Sequence, residues 1–211
     1  MRKASERDHV DGLATESHEN RTEKKGLHMT VLRLNLSENA TRQHILADLR
    51  GRLSDEQREE LDAATAAAGV PARHHHDIGE VNATISFLNV SDHVKEDMSA
   101  IYDILANAEA TVHGCPVEHT HFHEVGNGEA VRCVCEVCLA IEMIGPERIV
   151  ATPVQTGSGT VVCAHGELPV PAPATAAILE QGIPTCSERG EGELCTPTSA
   201  AIIKHFVSEF E

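Results

Sequence analysis

The chain has 211 residues, a formal net charge of −16 and 14 histidines, but no Trp, one Tyr and four Phe. That length suits one domain with a sizeable core, or at most two small ones, and a hydrophobic fraction of 41% points to a globular fold built from Ala, Val, Ile, Leu and Cys. The acidic balance excludes nucleic acid as a partner, since a phosphate backbone demands a basic surface and bases need rings to stack on.

Residues 1–27 carry six basic and six acidic side chains and almost no apolar ones, which predicts a disordered leader ahead of a domain over 28–211. The opening MRKASERDHVDG has no apolar signal core, and no run is long enough to span a bilayer. Seven cysteines are therefore expected as reduced thiols in a cytoplasmic protein. From Val31 to Leu36 the alternation predicts a strand. A helix follows on Ile45, Leu46 and Leu49. A second starts at Ser54, where SDEQ has the form of a capping box, and it stops at Gly69 with Pro71 beyond. His74-His75-His76 then lie in a loop.

Ser91 is a good N-cap for a long helix with Val94, Met98, Ile101, Leu105, Ala108 and Val112 as its apolar stripe, ended by Gly114 and Pro116. An apolar helix is predicted at about 128–144, stopped by Gly145-Pro146. The last third reads as a strand at about 148–155, a glycine turn at 157–159, a strand at 160–163 and a proline-rich bend at 169–173. A helix from Pro173 to Gln181, a short strand near 184–187 and a helix from Pro197 to about Phe210 complete the chain, with Pro173 and Pro197 in first-turn positions. Interleaved strands and helices make the fold class α/β, with α+β as the variant: one mixed-sheet domain with several flanking helices.

The stretch EHTHFHEVG, residues 118–126, places His119, His121 and His123 at every second position. In an extended conformation these rings share one face at a spacing of roughly 7 Å, while Thr120, Phe122 and Glu124 face the other way and Phe122 anchors the segment. His-x-His pairs can share a metal ion; a polar edge strand with solvated histidines is the plainer alternative. His74, His75 and His76 could likewise hold a cation or form a polar loop, and ordering such a loop costs entropy. Cys133-x-Cys135-x-x-Cys138 falls in an apolar helix, with Cys133 about 160° around the axis from Cys135, so core packing is the favoured reading over a metal site. Gly157-Ser158-Gly159-Thr160 could cradle phosphate with backbone N–H groups but lacks the lysine and length of a P-loop. Cys163-Ala164-His165-Gly166 follows a strand. Thr196-Pro197-Thr198 sets hydroxyls at a helix start, an anion site or a routine cap.

Together these stretches resemble the LarC family of nickel-insertion proteins. The resemblance is carried by VHG at 112–114, HFHEVG at 121–126, GSGTVVCAHGELPVPAPAT at 157–175 and GELCTPTSAAI at 192–202. It implies insertion of nickel into a pyridinium bis-thiocarboxylate mononucleotide, with CTP consumed and a divalent ion such as Mn²⁺ or Mg²⁺ assisting. On that basis His74, His75 and His76 would capture nickel, and His121, His123 and Glu124 would hold it. Glu124, then His165, would be the base. Gly157, Ser158, Gly159, Thr160, Thr196 and Thr198 would hold the nucleotide's phosphate.

The chain departs from the family pattern in two places. LNLSENATRQHI stands where the family has DCFSGISGDM, and NGEAVRC stands where it has AVDSIVD, with Glu129 and Cys133 in the positions of the two aspartates. The chain also stops at Glu211, where the family adds a C-terminal domain associated with CTP. Either a separately encoded partner supplies that part, or the chain is a divergent paralogue; a homo-oligomer stays open. A nickel store or metallochaperone without chemistry is the first alternative function, and a zinc hydrolase on the same histidines is the second.

Overall fold

A computed structural model describes residues 30–163 and 166–211. The charged leader at 1–27 and His165 lie outside the described residues. The central sheet has three parallel strands in the order β1 (Val31–Leu34), β2 (Arg148–Ala151) and β7 (Glu209–Phe210). Val31 pairs with Arg148 and Val150 with Glu209. Parallel neighbours need long crossovers, and the one between β1 and β2 carries five helices.

These helices are α1 (Arg42–Arg52), α2 (Asp55–Ala68), α3 (Ile78–Phe87), α4 (Asp92–His113) and α5 (Gly128–Ile144). The caps form as the residue types require. Ser54 and Gln57 make the reciprocal capping box of α2, Ser91 caps α4, and α4 and α5 stop at Gly114 and Gly145. Helix α4 is the pillar of the molecule. Val94, Met98, Ile101, Tyr102 and Leu105 are all at 0% exposure, and it packs against α3, α5, α6 (Pro173–Leu179) and α7 (Pro197–Phe206). Cys135 and Cys138 are fully buried on α5 and Cys133 is half-buried, so the cysteine run is core, as its helical phase indicated.

The antiparallel pairs stand apart from the main sheet. β3 (Gly157–Ser158) pairs with β6 (Gly192–Glu193), and β4 (Thr160–Cys163) forms a hairpin with β5 (Gly166–Pro169). Four features differ from the sequence expectation. Helix α3 has no counterpart among the predicted elements, because Gly79 and the β-branched Ile78, Val81, Thr84 and Ile85 weaken its helical signal. The strand expected near 184–187 is a single bridge between Val154 and Thr185. Helix α7 ends at Phe206 rather than near Phe210, because the chain there turns extended and adds β7 to the edge of β2. The Ser208 and Glu211 amides donate to Ile149 and Ala151 (both 2.9 Å), and Arg148 pairs with Glu209 at 3.0 Å. Sheet pairing outweighs one further helical turn.

The fourth difference is at EHTHFHEVG, which forms no strand. Val117–His119 is a single 3-10 turn, and an irregular loop runs on to the N-cap of α5 at Asn127. The alternation holds from His119 to His123 and breaks at Glu124, expected inward but exposed. Thr120 and Phe122 are at 1% exposure, while His119, His121 and His123 are exposed. Phe122 packs 6.1 Å from the Tyr102 ring, so it does anchor the segment.

Candidate functional site

The two histidine segments, almost fifty residues apart in the chain, dock on each other. The Phe122 amide donates to the His76 carbonyl at 2.8 Å, and the His75 amide donates to the Gly126 carbonyl at 2.7 Å. The His74 Nε2–H donates to the Phe122 carbonyl at 2.8 Å, and the His75 Nδ1–H donates to the Gly126 carbonyl at 3.0 Å. Gly126 is required by this approach: a Cβ there would lie 1.9 Å from the His75 carbonyl oxygen. Tyr102 on α4 ties down the same loop by donating its hydroxyl to the Val125 carbonyl at 3.1 Å. Asp77, at the end of the triplet, caps α3 by accepting from the Glu80 amide at 2.8 Å.

The three adjacent histidines differ sharply. His75 is at 0% exposure, and its Nε2 accepts from the Thr84 hydroxyl at 2.9 Å, so both ring nitrogens are committed inside the protein. In this arrangement His75 is a structural latch with no lone pair for a metal. His74 keeps Nδ1, and its ring meets that of the exposed His76 at 4.9 Å. Among the described residues, no three His, Cys, Asp or Glu side chains are grouped so that they could hold a metal ion.

Glu124, at the end of the second histidine segment, lines a cleft of about 530 Å³. Its apolar lining comes from Val112 on α4, Val125, Val161, Val162 and Leu168 on the β4–β5 hairpin, and Ala172-Pro173-Ala174 at the start of α6. Val112, expected in the core stripe of α4, is 41% exposed because it faces this cleft. The polar lining joins Glu109 and His113 of α4, Glu193 of β6, Arg42 of α1, the α5 cap Asn127, and Thr196 and Thr198 at the start of α7.

The acidic members sense one another. Burial raises the Glu109 carboxyl above its ordinary value, and Glu124 raises it further; His113, 3.5 Å away, and His123 oppose this. Burial, then Glu124, likewise raises Glu193. Such a cluster is poised to accept a cation or a proton.

The remaining expected residues lie elsewhere. Gly157, Ser158, Gly159 and Thr160 do not line the cleft. Gly157 (φ +80°) presses against the Gly192 carbonyl, the Ser158 hydroxyl donates to the Gly190 carbonyl at 2.7 Å, and the Thr160 hydroxyl donates to Glu167 at 2.7 Å. This turn therefore builds the β3–β6 pair and the β4–β5 hairpin instead of an open phosphate cradle. Thr196 caps α7 in a reciprocal box with Ser199, and it also faces the cleft with Thr198.

The model of the family described as nickel insertion protein matches residues 15–211. The chain belongs to that family. Among its relatives, a pyridinium-3,5-bisthiocarboxylic acid mononucleotide nickel insertion protein from Staphylococcus saprophyticus is 42% identical over 133 residues, which is 63% of this chain and 34% of that one. A protein of the same description from Desulfitobacterium hafniense is 40% identical over 136 residues, 64% of this chain and 34% of that one. A putative nickel insertion protein from Geobacter metallireducens is 43% identical over 140 residues, 66% and 35% respectively. The chain thus spans about a third of the length of these curated relatives. No solved structure matches it.

His113 and Glu193 fall inside two of the stretches that carried the resemblance, VHG and GELCTPTSAAI, where no role was assigned to them. Glu109 and Arg42 were missed. One is a charged position on a long helix and the other follows a helix cap, so only the tertiary fold turns both toward a cavity.

Proposed function

We propose that this chain is the nickel-handling part of a nickel-insertion protein, with nickel and pyridinium-3,5-bisthiocarboxylic acid mononucleotide as substrates. The observation that carries the reading is the docking of the two histidine segments, with Glu124 of one of them lining a cleft that has both apolar and charged side chains. His74 and His76 serve as first captors of the ion, since each keeps an accessible ring edge, and His75 holds the loop in place. His121, His123 and Glu124 hold nickel at the cleft mouth, with Glu109, His113 and Glu193 supplying the acidic field that draws the cation in. The apolar side chains of the lining take the flat ring. The thiocarboxylates then face nickel, and soft sulfur suits this ion.

Bonding nickel to a ring carbon replaces one proton, so the site needs a base in reach of that carbon. Glu124 is the first candidate and His165 the second. The phosphate end falls to Thr196 and Thr198 at the start of α7. CTP and its Mn²⁺ or Mg²⁺ are assigned to the part of the longer relatives that this chain does not match, and the setting is the cytoplasm.

The test incubates the chain with nickel, the bisthiocarboxylate mononucleotide, CTP and the C-terminal region of a relative. Mass spectrometry then follows the nucleotide. A product heavier by one nickel and lighter by the displaced proton is expected, and Glu124→Gln should slow its appearance about 100-fold, the scale of a lost general base. Absence of product under these conditions contradicts the reading. An unaltered rate in the variant moves the base to another residue.

A further inference from the structure

Arg42 opens α1, directly after the N-cap Thr41, and its side chain lines the cleft although only 16% of it is exposed. Its charge is poorly matched. Among the described residues its one ion pair is with Glu129, at 3.9 Å, and that carboxylate is 83% exposed. A contact of this length to a solvated group is weak. The Arg42 Nε is buried with no hydrogen-bond partner among the described residues. A held guanidinium that reaches a cavity without a close counter-charge is unusual, because buried donors are nearly always met.

The surroundings say which kind of ligand completes it. The starts of α5 and α7 reach the same cleft through Asn127, Thr196 and Thr198, and each helix start adds partial positive charge. The carboxylates of Glu109, Glu124 and Glu193 also line the cleft and suit a cation. A ligand bearing both an anionic end and a metal-binding end fits this division. This rests on the nickel-handling reading above: with the thiocarboxylates turned to nickel, the phosphate is the anion left for Arg42. We infer that Arg42 is the anchor for the phosphate monoester of a pyridinium mononucleotide, gripping it through the guanidinium fork with the helix starts behind it.

The test uses nicotinic acid mononucleotide and its dephosphorylated riboside as probes, titrated calorimetrically into the wild type, Arg42→Ala, Arg42→Lys and Glu129→Gln. Arg42→Ala should bind the mononucleotide at least about tenfold more weakly while its affinity for the riboside holds, the loss expected for a charge-assisted contact. Arg42→Lys should fall between, keeping the charge and losing the fork, and Glu129→Gln should bind as tightly as wild type or tighter. A thermal melt reports whether each variant is folded; if Arg42→Ala is not, the lysine and Glu129 variants decide. The inference is overturned if Arg42→Ala keeps mononucleotide affinity, or loses the riboside equally. It is also overturned if Glu129→Gln weakens binding as the arginine variants do, or if the wild type does not bind the mononucleotide. Nickel titration of the same proteins without nucleotide separates the two readings. Nickel affinity unchanged in Arg42→Ala leaves the nickel reading standing whatever the phosphate result.

Discussion

His75 lies at 0% exposure between Thr84 and Gly126, with a hydrogen bond on each ring nitrogen. Removing the ring empties a packed site and takes away the acceptor of the Thr84 hydroxyl, while the Gly126 carbonyl keeps only the backbone amide of residue 75. His75→Ala should therefore cost about 2–4 kcal/mol of unfolding free energy in a denaturant titration, with nickel stoichiometry per folded molecule unchanged. A loss of one bound nickel without a loss of stability would make His75 a ligand instead of a latch. Gly126→Ala tests the partner side. Its Cβ would sit 1.9 Å from the His75 carbonyl oxygen and 2.8 Å from the Phe122 Cβ, so the two loops must part, at a cost above about 2 kcal/mol. At this scale the sequence was partly legible. The alternation 119–123 gave the inward role of Phe122 and the outward histidines correctly. Three identical neighbours at 74–76 could not say which one turns inward, because that depends on Thr84 and Gly126, far along the chain.

The elements were legible where local chemistry decides them. Caps at Ser54 and Ser91 and the stops at Gly69, Gly114 and Gly145 bound α2, α4 and the end of α5. They were illegible where a distant partner decides, as at β7, where β2 meets the flanking Ser208 and Glu211 amides. Deleting residues 207–211 should lower stability by about 1–3 kcal/mol, through lost edge hydrogen bonds and the Arg148–Glu209 pair. It should also promote concentration-dependent association by baring the β2 edge, which light scattering would read. Helix α5 carries a further expectation. Burial pushes the Cys135 thiol up to about 12 and Cys133 up to about 11, and burial also raises Cys138. None of the three should react with a disulfide reagent at pH 8 until the protein is unfolded. Rapid labelling of two or more in the folded state would contradict the core assignment.

The whole molecule is an acidic body that gathers three carboxylates, Arg42 and the starts of α1, α5, α6 and α7 around one cleft, which the second histidine segment reaches through Glu124 and Val125. That convergence could not be read from spacing, since Glu109, Glu193 and Arg42 come from α4, β6 and α1. It has a pH signature. Burial raises Glu109 and Glu193 above the usual carboxylate value of 4.5, so the folded state prefers them protonated. Their contribution to stability is then full below that value and fades as pH rises through the raised values, with the nearby His113 only partly offsetting it for Glu109. Relative to wild type, Glu109→Gln should gain in thermal midpoint as pH climbs from 4 to 7; a constant gap would contradict the burial argument.

The central claim is that the docked histidine loops hold nickel at the cleft mouth. Calorimetric titration of nickel into the wild type and a His121→Ala/His123→Ala double variant tests it most directly. The account predicts at least about a tenfold loss of affinity in the variant, the cost of removing imidazole ligands from a site whose scaffold at Phe122 and Gly126 is untouched. Equal affinity and equal stoichiometry in the two proteins would contradict it.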